Sequence, residues 1–151
     1  MAGLNWFRTG AVGTLLFGCA HLVAVYKVNF APPPTPEMAA AKAALESVQE
    51  QFGPLRASAW GGLQILNASY SILLFQVGVL SLSAAPACAR AGRLASLTWI
   101  NLTAMAALLA VSLWFQFPPP AVFAFLLVVI FAVSLARQQR VTQSSAAGSV
   151  D

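Results

Sequence analysis

The sequence predicts an all-α membrane protein, a four-transmembrane-helix bundle with one extracytoplasmic amphipathic helix between spans 1 and 2. Three observations carry this prediction. Only 8% of the 151 residues are charged and 59% are hydrophobic, with a mean hydropathy of +0.76. A soluble domain uses about 25% charged residues to solvate its exterior, so the outside of this chain must face hydrocarbon. The charged residues then punctuate uncharged runs that are long enough to cross a bilayer. Finally, the basic residues cluster on alternate sides of those runs.

The first run, between Arg8 and Lys27, is close to the shortest that spans a hydrocarbon core at about 1.5 Å per residue. It is expected over about 9–27. Leu16-Phe17-Gly18-Cys19 has the outline of a lipoprotein cleavage box, which makes a cleaved signal the competing reading. Bulky Phe17 and the loss of one span weigh against it, and the run is expected to stay as an anchor helix.

The segment from Lys27 to Arg56 is the one sizeable region outside the spans. Pro32-Pro33-Pro34 makes a stiff extended piece. Thr35 offers an N-cap, Pro36 suits the first helical position and Glu37 sits in the dipole-favoured first turn. A helix is expected over about 36–52, stopping at Gly53-Pro54. Met38, Ala41, Leu45, Val48 and Phe52 recur on one stripe, which suits a helix lying on the membrane surface or acting as a lid.

The second span is expected over about 58–82, with Ser83-Ala84-Ala85-Pro86 read as a turn. The last uncharged run, Leu94 to Ala136, is too long for one helix. Pro118-Pro119-Pro120 divides it into spans at about 94–115 and 119–136. The Ser-, Ala- and Gly-rich tail, 141–151, is expected to be disordered. With four spans, Arg8, Arg90, Arg93, Arg137 and Arg140 share one side. Lys27, Lys42 and Arg56 lie opposite, balanced by Glu37, Glu46 and Glu50. The basic side should be the cytoplasm, giving an inner-membrane protein with both ends inside. Basic residues placed singly at span ends do not track phosphates, so no nucleic-acid partner is expected.

Polar residues within spans mark the faces that turn away from lipid. Gly10, Thr14, Gly18 and His21 fall on one stripe of the first span. Gln64, Asn67 and Ser71 form another in the second, and Thr98 with Asn101 a third. The fourth run holds only Ser134 and is expected to be the most lipid-exposed helix. His21, Gln64, Asn67, Ser71 and Asn101 together form the candidate ligand-binding set, a polar pocket in the outer half of the bundle. Interhelical pairing is the simpler role for each amide. His21 reads as a bonded neutral imidazole, a substrate or proton contact, or a haem or metal ligand shared with a second chain. The two cysteines, Cys19 and Cys88, form no CxxC pair. With one histidine and no carboxylate inside a span, no metal, cofactor or catalytic residue is predicted.

Gly18-Cys19-Ala20-His21-Leu22, the outer loop after it and Gly61-Gly62-Leu63-Gln64-Ile65-Leu66-Asn67 resemble small bacterial four-helix membrane proteins of the DoxX-like type. The resemblance implies a fold and no activity. Enzymatic and exporter four-span families ask for features missing here: paired outer cysteines, intramembrane Arg and Glu, or a carboxylate in the first span. The expected function is thus a non-enzymatic membrane subunit or partner protein, with the lipid bilayer, a membrane-protein partner or a homo-oligomer around it. A small-molecule or lipid binder or transporter using the polar pocket is the alternative, followed by a membrane enzyme or redox accessory.

Overall fold

The computed structural model of the chain describes residues 2–52 and 54–147. In chain order the elements are α1 (Ala2–Phe30), α2 (Pro36–Ser47), β1 (Gln49–Phe52), β2 (Leu55–Ser58), α3 (Ala59–Arg90), α4 (Leu94–Trp114) and α5 (Pro118–Ala147). Helices α1, α3, α4 and α5 are each long and apolar enough to cross a membrane. The all-α, four-span class predicted above is what the chain adopts. It divides into two compact units, Leu16–Phe75 on the one hand and Met1–Leu15 with Gln76–Asp151 on the other.

Three boundaries differ from expectation, for separate reasons. The turn expected at Ser83–Pro86 is helical, and α3 runs to Arg90 with Pro86 inside it. Pro86 removes one backbone bond, but Ala84, Ala85, Ala87 and Ala89 are strong helix formers on both sides of it. The chain ends the helix at Gly92 instead, where φ is +68°. The amide of Arg93 reaches the Cys88 carbonyl at 2.8 Å and that of Gly92 the Ala89 carbonyl at 3.3 Å, a Schellman cap.

The tail expected to be disordered from 141 is helical to Ala147, and residues 148–151 lie outside the described residues. Extending an existing helix costs no nucleation, and no glycine or proline interrupts α5 before residue 148. The helix expected over 36–52 ends at Ser47. There Ser47 Oγ donates to the Ala44 carbonyl at 2.7 Å and Gln49 Nε2 to that of Glu46 at 2.9 Å, so side chains close the helix end. An antiparallel hairpin follows, pairing Gln49 with Ser58 and Gln51 with Arg56. The Ala59 amide bonds the Val48 carbonyl at 2.9 Å, joining the hairpin base to the start of α3.

In the unit that holds α4 and α5, Leu94, Thr98, Asn101, Met105 and Ser112 are the buried face of α4. Ala121, Ala124, Leu127, Phe131, Ser134 and Leu135 are that of α5. The expectation that the fourth span is peripheral is wrong. Its most apolar stretch is 39% buried, against 22%, 22% and 17% for the other three. In lipid, helices associate through close fit, and small residues matter more than polar ones. Gly10 leaves room for the Phe131 ring, which a Cβ would meet at 2.6 Å, and Gly13 leaves room for Leu127 at 2.8 Å. Phe7 packs on Phe131 with centroids 5.7 Å apart.

Three polar links then fix register within this unit. Ser134 Oγ donates to the Gly3 carbonyl at 2.8 Å, Gln138 Nε2 to Thr98 Oγ1 at 2.9 Å, and Ser81 Oγ to Asn101 Oδ1 at 3.0 Å. The first two bring the start of α1 and the start of α4 beside the end of α5.

Helices α4 and α5 are joined by Phe115, Gln116 and Phe117. This link is a second Schellman cap: the Phe117 amide bonds the Ser112 carbonyl at 2.9 Å and the Gln116 amide that of Leu113 at 3.1 Å. Pro118 then opens α5, where its missing N–H costs nothing. The cap forces Gln116 to φ +52°, a left-handed conformation that favours glycine. Gln116→Gly is therefore expected to stabilise the protein by about 0.5–1 kcal/mol, read as a raised midpoint of reversible unfolding in mixed micelles. Gly92→Gln should do the opposite.

Candidate functional site

The unit Leu16–Phe75 carries most of the predicted polar set. Its foundation is Gly18, where a Cβ would lie 2.7 Å from the Phe75 amide nitrogen and 2.9 Å from the Ser71 carbonyl. Only a bare glycine lets α1 approach the α3 backbone this closely. The approach brings His21 Nδ1 to 2.7 Å from Ser71 Oγ. Ser71 Oγ in turn donates to the Asn67 carbonyl at 2.9 Å. Ser71 Oγ thus lies between the imidazole and the Asn67 carbonyl, and the tautomer of His21 sets whether the ring nitrogen or the hydroxyl donates between them. Phe17 and Tyr70 stand edge-on to the imidazole, at centroid distances of 6.4 and 5.1 Å. The Tyr70 hydroxyl is buried and, among the described residues, has no hydrogen-bond partner.

Two turns further along α1, Asn29 Nδ2 donates to Gln64 Oε1 at 3.0 Å and to the Val25 carbonyl at 2.8 Å. The polar stripe of α3 is therefore clasped to α1 at two levels, by His21–Ser71 and by Asn29–Gln64. Both bonds satisfy groups that would be costly in hydrocarbon.

Beyond these clasps lies the region outside the spans. The N-terminus of α2 is built as predicted: Thr35 Oγ1 accepts from the Met38 amide at 3.2 Å, and Pro36 follows. The Glu37 carboxyl is held below its ordinary range by its own backbone amide and by the Thr35 hydroxyl. No residue of α2 is buried, and Met38 and Leu45 stay partly exposed, as suits a helix at an interface. Lys42 is one side chain of α2 that reaches the start of α3. Lys42 Nζ stands 5.5 Å over the Trp60 ring and 3.8 Å from Glu46 Oε1.

Two cavities meet at Lys42 and Trp60. A cleft of about 660 Å³ includes Leu22, Tyr26, Asn29, Gln64, Ile65 and Ala68 in its lining, and Glu46 also borders it. A smaller hollow of about 290 Å³ is formed by Lys27, Val28, Met38 and the three consecutive prolines. The cleft falls within the size range of small-molecule sites. It is walled by aliphatic and aromatic carbon, with one amide pair and one ion pair. No family model, curated protein or solved structure matches the chain.

Of the predicted residues, His21, Asn67 and Ser71 make one hydrogen-bonded chain, while Gln64 lies in the cleft wall. Asn101 belongs to the other unit, where it accepts from Ser81 and donates to the Leu97 carbonyl at 3.0 Å. Sequence reasoning missed Asn29, although Phe17, His21, Val25 and Asn29 recur every fourth residue of α1 and so announce one face. It also missed the Lys42–Trp60 contact, which depends on how α2 folds back and leaves no mark in local spacing. Among the described residues, no group of three His, Cys, Asp or Glu side chains could hold a metal. Cys19 and Cys88 are free thiols.

Proposed function

We propose that this is a multi-pass protein of the cytoplasmic membrane, with both ends inside, that binds a lipid-like amphiphile rather than catalysing a reaction. The observation that carries the reading is the cleft around Leu22, Tyr26, Ile65 and Ala68. It combines lipid-exposed apolar walls on two spanning helices with charged and aromatic groups at its outer end. Leu22, Tyr26 and Ile65 are 45%, 62% and 65% exposed, so the cleft opens toward acyl chains. Its polar groups pair with each other, Asn29 with Gln64 and Lys42 with Glu46. They orient a ligand without presenting a nucleophile poised beside a base. The proposed orientation rests on the five arginines at 8, 90, 93, 137 and 140, against the charge-balanced segment that contains Lys27, Lys42 and Arg56.

The test is native mass spectrometry of the protein extracted with its lipids. Ala68→Trp places an indole in the cleft and should lower the retained lipid-like mass at least tenfold. Leu73→Trp, an exposed position that lines neither cavity, should leave it unchanged. Equal retention by both variants would refute the reading, as would a co-purifying polypeptide that cross-links to position 68 in place of lipid.

A further inference from the structure

The hollow beside the cleft points to the chemistry of the ligand's head, a deduction that rests on the amphiphile reading above. Lys27 at the end of α1 and Lys42 on α2 both line this hollow, and Lys42 with Trp60 is shared with the cleft. A molecule whose chain lay in the cleft would therefore place its head at the hollow. We propose that the occupant is an anionic phospholipid, its phosphodiester held between the Lys27 and Lys42 ammonium groups.

The balance of charge in the hollow is positive. Among the described residues Lys27 makes no ion pair. The partner of Lys42, Glu46, is at 3.8 Å with its side chain half exposed, a solvated contact that a better-placed anion can exchange with. Glu46 borders the cleft but is not in the lining of the hollow. Pro32, Pro33 and Pro34 form one wall and have no N–H groups to offer. The lysines are thus the charged donors available to an acceptor-rich head, beside the Trp60 indole N–H, and the prolines hold the strap at a fixed span. Val28, Ala31 and Met38 supply an apolar lining that suits the glycerol backbone better than a hydrated free ion. Trp60 adds the amphipathic ring typical of the headgroup level.

The experiment offers the full-length protein phosphatidylglycerol and phosphatidylcholine with identical acyl chains, in competition in one neutral detergent. Bound lipid is counted by native mass spectrometry. Phosphatidylglycerol should be retained about thirtyfold over phosphatidylcholine, the scale set by two lysines at a membrane surface. Lys27→Gln with Lys42→Gln should bring the two lipids to parity, and Lys27→Arg should keep the preference. Both lysines sit outside the buried core, so the variants are expected to fold, and circular dichroism checks that they do. Equal retention of the two lipids by the unaltered protein would overturn the proposal, as would a preference that survives the double glutamine variant. Displacement of phosphatidylglycerol by millimolar inorganic phosphate would show a site for a free anion and also overturn it. If neither lipid is retained, the amphiphile reading itself falls.

Discussion

Gly18→Ala is expected to destabilise the protein by about 1–3 kcal/mol, the usual cost of overpacking a well-filled contact. The new methyl would meet the Phe75 nitrogen at 2.7 Å and the Ser71 carbonyl at 2.9 Å. Both are backbone atoms of a helix, which have no rotamer to move out of the way. Either α3 shifts or α1 does, and the His21–Ser71 bond of 2.7 Å is stretched in the process. Gly78→Ala should cost a similar amount, since its Cβ would lie 2.7 Å from the Leu15 nitrogen and 2.9 Å from the Leu15 Cα. Gly62→Ala is the control, because among the described residues nothing lies within 4 Å of a Cβ there. It should be neutral or slightly stabilising, since alanine is the better helix former. Unfolding in mixed micelles, followed by circular dichroism, distinguishes the three. A neutral Gly18→Ala would mean that the two backbones are not in contact.

Phe131→Ala should be about as damaging or worse, at about 3 kcal/mol. Phe131 is fully buried between Phe7 and the Gly10 surface. In water a buried Phe→Ala costs about 3–5 kcal/mol, part of it lost transfer energy and part cavity. Lipid removes much of the transfer part, because the unfolded helix is already in hydrocarbon. The cavity and the lost dispersion contacts remain. Phe125→Ala on the same helix removes a ring that is 55% exposed and should change stability by less than about 0.5 kcal/mol. The same unfolding assay reads the difference. Similar effects at 125 and 131 would restore α5 to the lipid-facing place expected of it.

That misplacement shows where the sequence was legible and where it was not. Hydropathy and charge punctuation reveal spans because a bilayer accepts few charges in a long run, so the count and order of helices could be read directly. Polar residues were a poor guide to which helix lies inside. α5 has one serine in its apolar stretch and is buried by shape, through Ala121, Ala124 and the glycines of α1 that face it. The capping of α2 was readable, since Thr35-Pro36-Glu37 is local chemistry. Its early end at Ser47 and the hairpin beyond were not, because Gln49, Glu50 and Gln51 suit a helix as well as an exposed strand. The two polar stripes that carry His21 and Ser71 could be read from spacing, but which member of one bonds which member of the other could not. Nor could the hollow, because Lys27, the prolines and Lys42 come together only once α2 folds back toward Trp60.

The connections from α4 to α5 and from α1 to α3 also differ in how the chain can be made. Three uncharged residues, Phe115, Gln116 and Phe117, join α4 to α5, so these two helices can enter the bilayer as one preformed hairpin without moving an ion across. The connection from α1 to α3 contains Glu37, Lys42, Glu46, Glu50 and Arg56. In the orientation proposed above, with the amino end inside, it would have to be carried through hydrocarbon, which charges resist strongly. On that proposed orientation, biosynthesis of the second half should depend little on the membrane potential or on a translocation motor, whereas export of the segment that borders the cleft should require one of them.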